Sequence, residues 1–292
     1  MPSPHNKLKN AILETLAYFD IFDFPLLESE IFKFLHYNQK IDFKEFKKVL
    51  KEIPNERYGD TRFYFLPKRK EIVVQRIEKG RISWKKIKAV QKILKVLGFI
   101  PTIQFMGISG SLAMKNGDDN SDLDLFVITS NDTLWSTRFF IWLILIFLGR
   151  QRRREDLGID MICVNMIVDR SKIAFPKERQ DIYTAHEIIQ LLPIVNKNNT
   201  YEFFLKENKW VLNFLPNGFE SGEKIKKSDF AVNFLSFFNK PFEKLLNRLQ
   251  IWYMSRHRTI EEVGDNFVAF HPYNYRGKII REFEEKKKKY EI

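Results

Sequence analysis

Gly107-Ile-Ser-Gly-Ser-Leu-Ala-Met-Lys-Asn-Gly-Asp-Asp-Asn-Ser-Asp-Leu-Asp-Leu-Phe-Val-Ile-Thr129 is the stretch on which the fold of this chain turns. A Gly-Ser turn at Gly110 and Ser111 follows one apolar segment. Asp122 and Asp124 open a second, made of Leu123, Leu125, Phe126, Val127 and Ile128. Side chains on a strand alternate between faces, so the two aspartates share a face while Leu123 and Leu125 enter a core. Neighbouring carboxylates repel, and keeping both ionised calls for a compensating charge, commonly a divalent cation. Mg²⁺ is held through one or two carboxylates, with substrate phosphates completing its shell. Gly110, lacking a side chain, lets backbone approach a phosphate closely. Ser111 opens a short helix to Lys115 whose free N–H groups, with the Ser111 hydroxyl, suit an anion. Lys115 and Asn116 face either phosphate or water.

Outward from this stretch, Phe99 to Met106 reads as the strand that enters it. Leu134 to Gly149 reads as a helix and Ile159 to Val168 as a further strand. The order over residues 99–168 is therefore strand, turn and helix, strand, helix, strand. Asp160 interrupts the otherwise apolar third strand at its start and is the candidate third carboxylate. Three carboxylates would complete a two-metal site, one ion activating the attacking oxygen and the other holding a triphosphate. Asp156 and Asp169 are alternatives nearer the ends of that strand.

Gly110-Ser111, ten intervening residues, Asp122-Leu-Asp124 and then Asp160 on a later strand together resemble the nucleotidyltransferase superfamily of DNA polymerase β, in particular its small bacterial and archaeal members. The resemblance covers residues 99–170. It implies transfer of a nucleoside monophosphate from an NTP, with ATP the expected donor, to an acceptor hydroxyl with release of pyrophosphate. It also implies Mg²⁺, with Mn²⁺ as a substitute, bound by Asp122, Asp124 and Asp160, and Gly110 and Ser111 holding the β- and γ-phosphates. The acceptor is left open among a protein, a small molecule and an RNA end. One departure lies in Asn116-Gly-Asp-Asp-Asn-Ser-Asp122: many relatives carry Arg or Lys where this chain has Asp118 or Asp119.

The flanks complete an α+β expectation. Leu8, Ile12, Leu16 and Phe19 recur at helical spacing, Leu27 to Leu35 reads as a second helix, and Asp42 caps a third running to Ile53. Tyr58-Gly-Asp-Thr61 and Arg62 to Leu66 signal a hairpin. Three helices and a hairpin over residues 1–70 resemble a winged helix-turn-helix, and Lys44, Lys47, Lys48 and Lys51 on the third helix make DNA contact a partner hypothesis. Residues 71–172 hold the transferase-like core with a leading amphipathic helix, Glu71 to Leu97, closed by Gly98. From Pro176 no further strand is expected. Residues 173–292 read as an all-helical domain: Glu178 to Leu192, Thr200 to Leu215, a long pattern from Ser228 to His257, and a frayed tail at Lys286 to Lys289. His186 reads as structural, and His271-Pro-Tyr-Asn-Tyr-Arg276 as a loop packed on the helices rather than the lining of a groove.

Composition sets bounds on partners. The chain of 292 residues is 44% hydrophobic, enough for a sizeable core, and its net charge of +12 favours polyanionic partners without choosing among them. Its one cysteine, Cys163, lies in an apolar run and reads as a core residue, in keeping with a reducing cytoplasm. No secretory leader pattern is visible in the first twenty residues. Phe139 to Leu148 is ten apolar residues between Arg138 and Arg150, Arg152, Arg153 and Arg154. That is about half the ~20 needed to span a bilayer, so it reads as a buried helix, with a helix dipping into a membrane surface as the alternative.

Overall fold

The computed structural model describes residues 3–150, 161–219, 239–256, 262–264, 267–269 and 273–292. The expected amino-terminal elements are present: helices α1 (Pro4–Asp20), α2 (Glu28–Lys33) and α3 (Phe43–Leu50), then the hairpin β1 (Asn55–Tyr58) and β2 (Thr61–Tyr64). Ser3 caps α1 through the Asn6 amide, and Asp42 caps α3 by accepting from the amides of Lys44 and Glu45. Gly59 turns the hairpin at φ +59°, a region that glycine enters without a Cβ penalty. Lys44, Lys47, Lys48 and Lys51 are exposed, with Lys47 reaching Glu28 at 3.1 Å.

Helix α4 is one continuous element, Ile72–Gly98, and Phe99 rather than Gly98 is its cap. It leads to β3 (Ile103–Ser109), the single turn α5 (Gly110–Ala113), β4 (Leu123–Thr129), α6 (Leu134–Phe147) and β5 (Ile162–Asp169). The strand, turn and helix, strand, helix, strand order is thus observed. Strand β3 is antiparallel to β4, and β4 is parallel to β5.

The expectation of an all-helical segment after Pro176 is overturned. Helix α7 (Ile182–Ile189) is followed by β6 (Leu192–Asn196), α8 (Thr200–Glu207), α9 (Asn239–Ser255), β7 (Glu262–Gly264), β8 (Phe267–Ala269) and α10 (Tyr273–Tyr290). The three late strands belong to the same mixed sheet, whose order is β6-β3-β4-β5-β8-β7. Two further corrections follow. Thr200 to Leu215 is α8 and then a 3₁₀ turn over Lys209–Asn213, not one helix. Lys286 to Lys289 is helical rather than frayed, because Lys286 pairs with buried Asp20, which Arg69 also holds at 2.8 Å.

The sheet separates two cores. Leu123, Leu125, Val127, Met106 and Ile108 face a cluster built with α4, α6 and α9. Phe105, Phe126, Ile128 and Val168 face the other way, into a cluster continuous with α1, α2, α3, α7, α8 and α10. The expected alternation holds over Leu123-Asp-Leu125: the leucines enter the first core and Asp124 lies on the opposite face, while Asp122 precedes the strand. Helix α6 departs from expectation. Ile141 and Leu145 are buried, but Phe140, Trp142, Ile146, Phe147 and Leu148 are exposed, so the apolar run is buried on one side only.

Candidate active site

The motif becomes a site where β3 turns into α5 against β4. Ser109, Asp124 and Cys163 lie in one row across β3, β4 and β5. Gly110 adopts φ +65°, and a Cβ there would stand 3.0 Å from Asp124 Oδ2. Backbone and carboxylate are thus packed together, and any larger residue would crowd Asp124. Asp122 sits just before β4 and is half-buried. Ser111 is exposed at the second position of α5 and lines the same cavity as Gly110 and Asp124.

The loop after α5 is held from outside the motif. Arg76 on α4 is buried and donates to the Met114 carbonyl at 2.8 Å and to Glu30 at 2.7 Å, with its guanidinium 3.5 Å from the Phe24 ring centre. Ser83 Oγ accepts from the Gly117 amide at 2.9 Å, and the Lys86 ammonium donates to the carbonyls of Asp119 and Ser121. Asp118 accepts from Ser121 Oγ and the Asn120 amide, and these hydrogen bonds hold its carboxyl below the usual carboxylate range. Asp118 therefore shapes the turn. Lys115 is exposed, and Asn116 turns inward: its Nδ2 donates to the Phe22 carbonyl at 2.9 Å, while its buried Oδ1 accepts no hydrogen bond.

A cavity of about 230 Å³ opens in front of Gly110, Ser111 and Asp124. Its far walls come from parts of the chain that the motif did not indicate: Tyr18, Phe19, Phe22 and Phe24 from α1 and the turn after it, Tyr183, Glu187 and Gln190 from α7 and its cap, and Tyr275 from α10. Glu187 is the residue that sequence reasoning missed. Burial, and then the charge of Asp124, push its carboxyl up to about 7. A glutamate among Ala185, Ile188 and Ile189 reads from sequence as the polar side of an amphipathic helix. Only the packing of α7 over the sheet turns it toward Asp124.

The third-carboxylate expectation divides. Asp160 and Asp156 lie outside the described residues. Asp169, at the opposite end of β5, is buried and structural: it accepts from the amides of Asp132 and Ser171 and from Ser171 Oγ. Beside Asp124 on β5 stands Cys163, half-buried rather than in the core. Among the described residues no three His, Cys, Asp or Glu side chains form a metal-holding group. Of the expected metal-binding carboxylates, Asp124 lines the cavity beside Gly110, and Asp122 comes just before β4.

No family model, curated protein or solved structure matches this chain. The reading of the site therefore stands on its geometry. His186 is confirmed as buried and packed: it stacks on Tyr18 at 4.0 Å between ring centres, and its Nε2 lies 2.8 Å from His36 Nε2. Tyr275, by contrast, lines the cavity, where packing alone was expected for its segment.

Proposed function

We propose that this protein is a nucleotidyltransferase that moves a nucleoside monophosphate from an NTP to an acceptor hydroxyl, with Asp122 and Asp124 as the metal-binding carboxylates. The observation that carries the reading is Gly110 at φ +65° packed directly on the Asp124 carboxylate at the mouth of a cavity. A bound Mg²⁺ would supply charge neutralisation for the triphosphate. The acceptor oxygen bonds to the α-phosphorus, the bond to the pyrophosphate oxygen breaks, and the hydroxyl proton passes to a carboxylate or to water. Ser111 and the backbone at Gly110 orient the outer phosphates. The aromatic wall from Tyr18, Phe22, Tyr183 and Tyr275 excludes water from the reacting groups. The resemblance assigns Asp160 a share in holding the metal and activating the hydroxyl.

The test is incubation with each labelled NTP, Mg²⁺ and cell extract, following both label transfer and pyrophosphate release. Asp122→Ala with Asp124→Ala should abolish both while the unfolding midpoint stays near wild type. Undiminished pyrophosphate release from the double variant would sink the proposal.

A second reading, a DNA-binding regulator that senses nucleotide, draws support from the exposed lysines of α3. It predicts salt-dependent duplex binding weakened by Lys47→Glu with Lys48→Glu, and no duplex binding at low salt would remove it.

A further inference from the structure

Helix α9 packs on α6, and the hydrogen bonds define which side it presents. Glu243 accepts from the amides of Trp135 and Ser136, Gln250 donates to the Trp135 carbonyl and accepts from Arg138, and Leu246 is buried in the core beneath. These positions recur at i, i+3 and i+7, one side of a helix. Phe242, Leu245, Leu249 and Trp252 recur with the same spacing on a different side, and all four are exposed, Trp252 at 55% and Leu245 at 53%. An amphipathic helix of a soluble fold normally turns its apolar stripe inward. Here the stripe lies beside the α6 contact and is left exposed.

The carboxy-terminal half of α6 is likewise left uncovered. Trp142, Ile146, Phe147 and Leu148 are exposed, Phe147 at 81%. Together the two helices expose apolar area on the order of several hundred Å², the scale at which patches mark interaction sites rather than scatter. The charge around them is one-sided. Residues 134–150 contain no acid, and the one acid of residues 241–256 is Glu243, turned into α6. Lys244 and Arg248 are exposed on α9 and Arg256 just after it, with the Arg256 guanidinium 4.2 Å from the Trp252 ring centre. Among the described residues no helix is long and apolar enough to cross a membrane.

We propose that the exposed face of α6 and α9 docks on an anionic phospholipid surface, lying in the interface without spanning it. Tryptophan and tyrosine settle at the headgroup level, apolar side chains enter the acyl boundary, and flanking Lys and Arg meet anionic headgroups. Trp142, Trp252 and Tyr253 supply the first of these, Leu249 and Phe147 the second, and Arg248 and Arg256 the third. Lys244, Arg248 and Arg256 lie exposed beside the α9 stripe while the one acid of that stretch is turned into α6, a single-sign border that suits an anionic surface better than a protein partner of mixed charge. This surface is independent of the proposed transferase site.

The experiment is flotation of the full chain with phosphatidylcholine vesicles, with and without phosphatidylserine, at low and high salt, beside light scattering without lipid. Binding should require phosphatidylserine, weaken at high salt, and fall about tenfold or more in Phe147→Glu with Trp252→Glu, whose unfolding midpoint stays near wild type. Arg248→Ala with Arg256→Ala should weaken it while leaving the apolar stripe intact. Equal binding to neutral vesicles, no binding to either, or a lipid-free dimer that the glutamate substitutions dissolve would overturn the proposal.

Discussion

Glu187→Gln tests the cavity without reference to any substrate. The Glu187 carboxyl faces Asp124 on β4, with the phenols of Tyr18, Tyr183 and Tyr275 around it, and its folded value is about 7 against an ordinary 4.5. The folded protein therefore holds this proton more tightly than the unfolded chain. The resulting stabilisation is fully present below the unfolded value and is lost as pH rises through about 7. The difference between about 7 and 4.5 corresponds to ~3 kcal/mol. Glutamine keeps the shape and removes the charge. The variant should match wild type near pH 4 and exceed it by ~1–3 kcal/mol near pH 8. Urea unfolding across that range, without divalent cations and followed by tryptophan fluorescence, gives the difference directly. A wild-type-minus-variant difference that does not change with pH would refute the placement of Glu187 beside Asp124.

Two further outcomes probe the neighbourhood. Gly110→Ala forces a Cβ to 3.0 Å from the Asp124 carboxylate at a left-handed φ; it should cost ~1–2 kcal/mol in denaturant unfolding and abolish turnover. His36 is held down to about 3 by burial and the nearby Lys287 charge, and His186 is lowered by burial and by His36. Both stay neutral when folded, so their stabilisation is present above the ordinary histidine value and is lost as pH falls below it, at up to ~1.4 kcal/mol per pH unit for each proton taken up. Replacing both with glutamine should flatten the acid limb of the stability curve, as measured by urea midpoints.

What could be read from sequence was local. The Asp42 cap, the Gly59 turn, the spacing of Leu8, Ile12 and Leu16, and the alternation of Leu123-Asp-Leu125 each depend on residues a few positions apart, and each is realised. The late strands were hidden for physical reasons. Leu192-Pro-Ile-Val-Asn196 follows directly on a helix and contains a proline, which is tolerated because β6 is an edge strand. Strands β7 and β8 are three residues each, too short to show a period. Hydropathy marked α6 as apolar without revealing that only one side would be covered. The Gly110–Asp124 end of the site was legible, whereas its Tyr18, Glu187 and Tyr275 walls depend on three separate helices meeting over the sheet.

The sheet order carries a consequence for how the protein can be divided. The motif strands β3, β4 and β5 sit in the middle, and their outer neighbours arrive much later in the chain: β6 against Phe105–Ile108, and β8 against Met166–Val168. A fragment cut after residue 172 would retain every motif residue yet leave both margins of its sheet with bare amide and carbonyl groups, a template for strand recruitment and aggregation. During synthesis the same margins stay open until residues 192–196 and then 267–269 have emerged, so the nascent motif depends on protection that only its own distant carboxy-terminal segments can give.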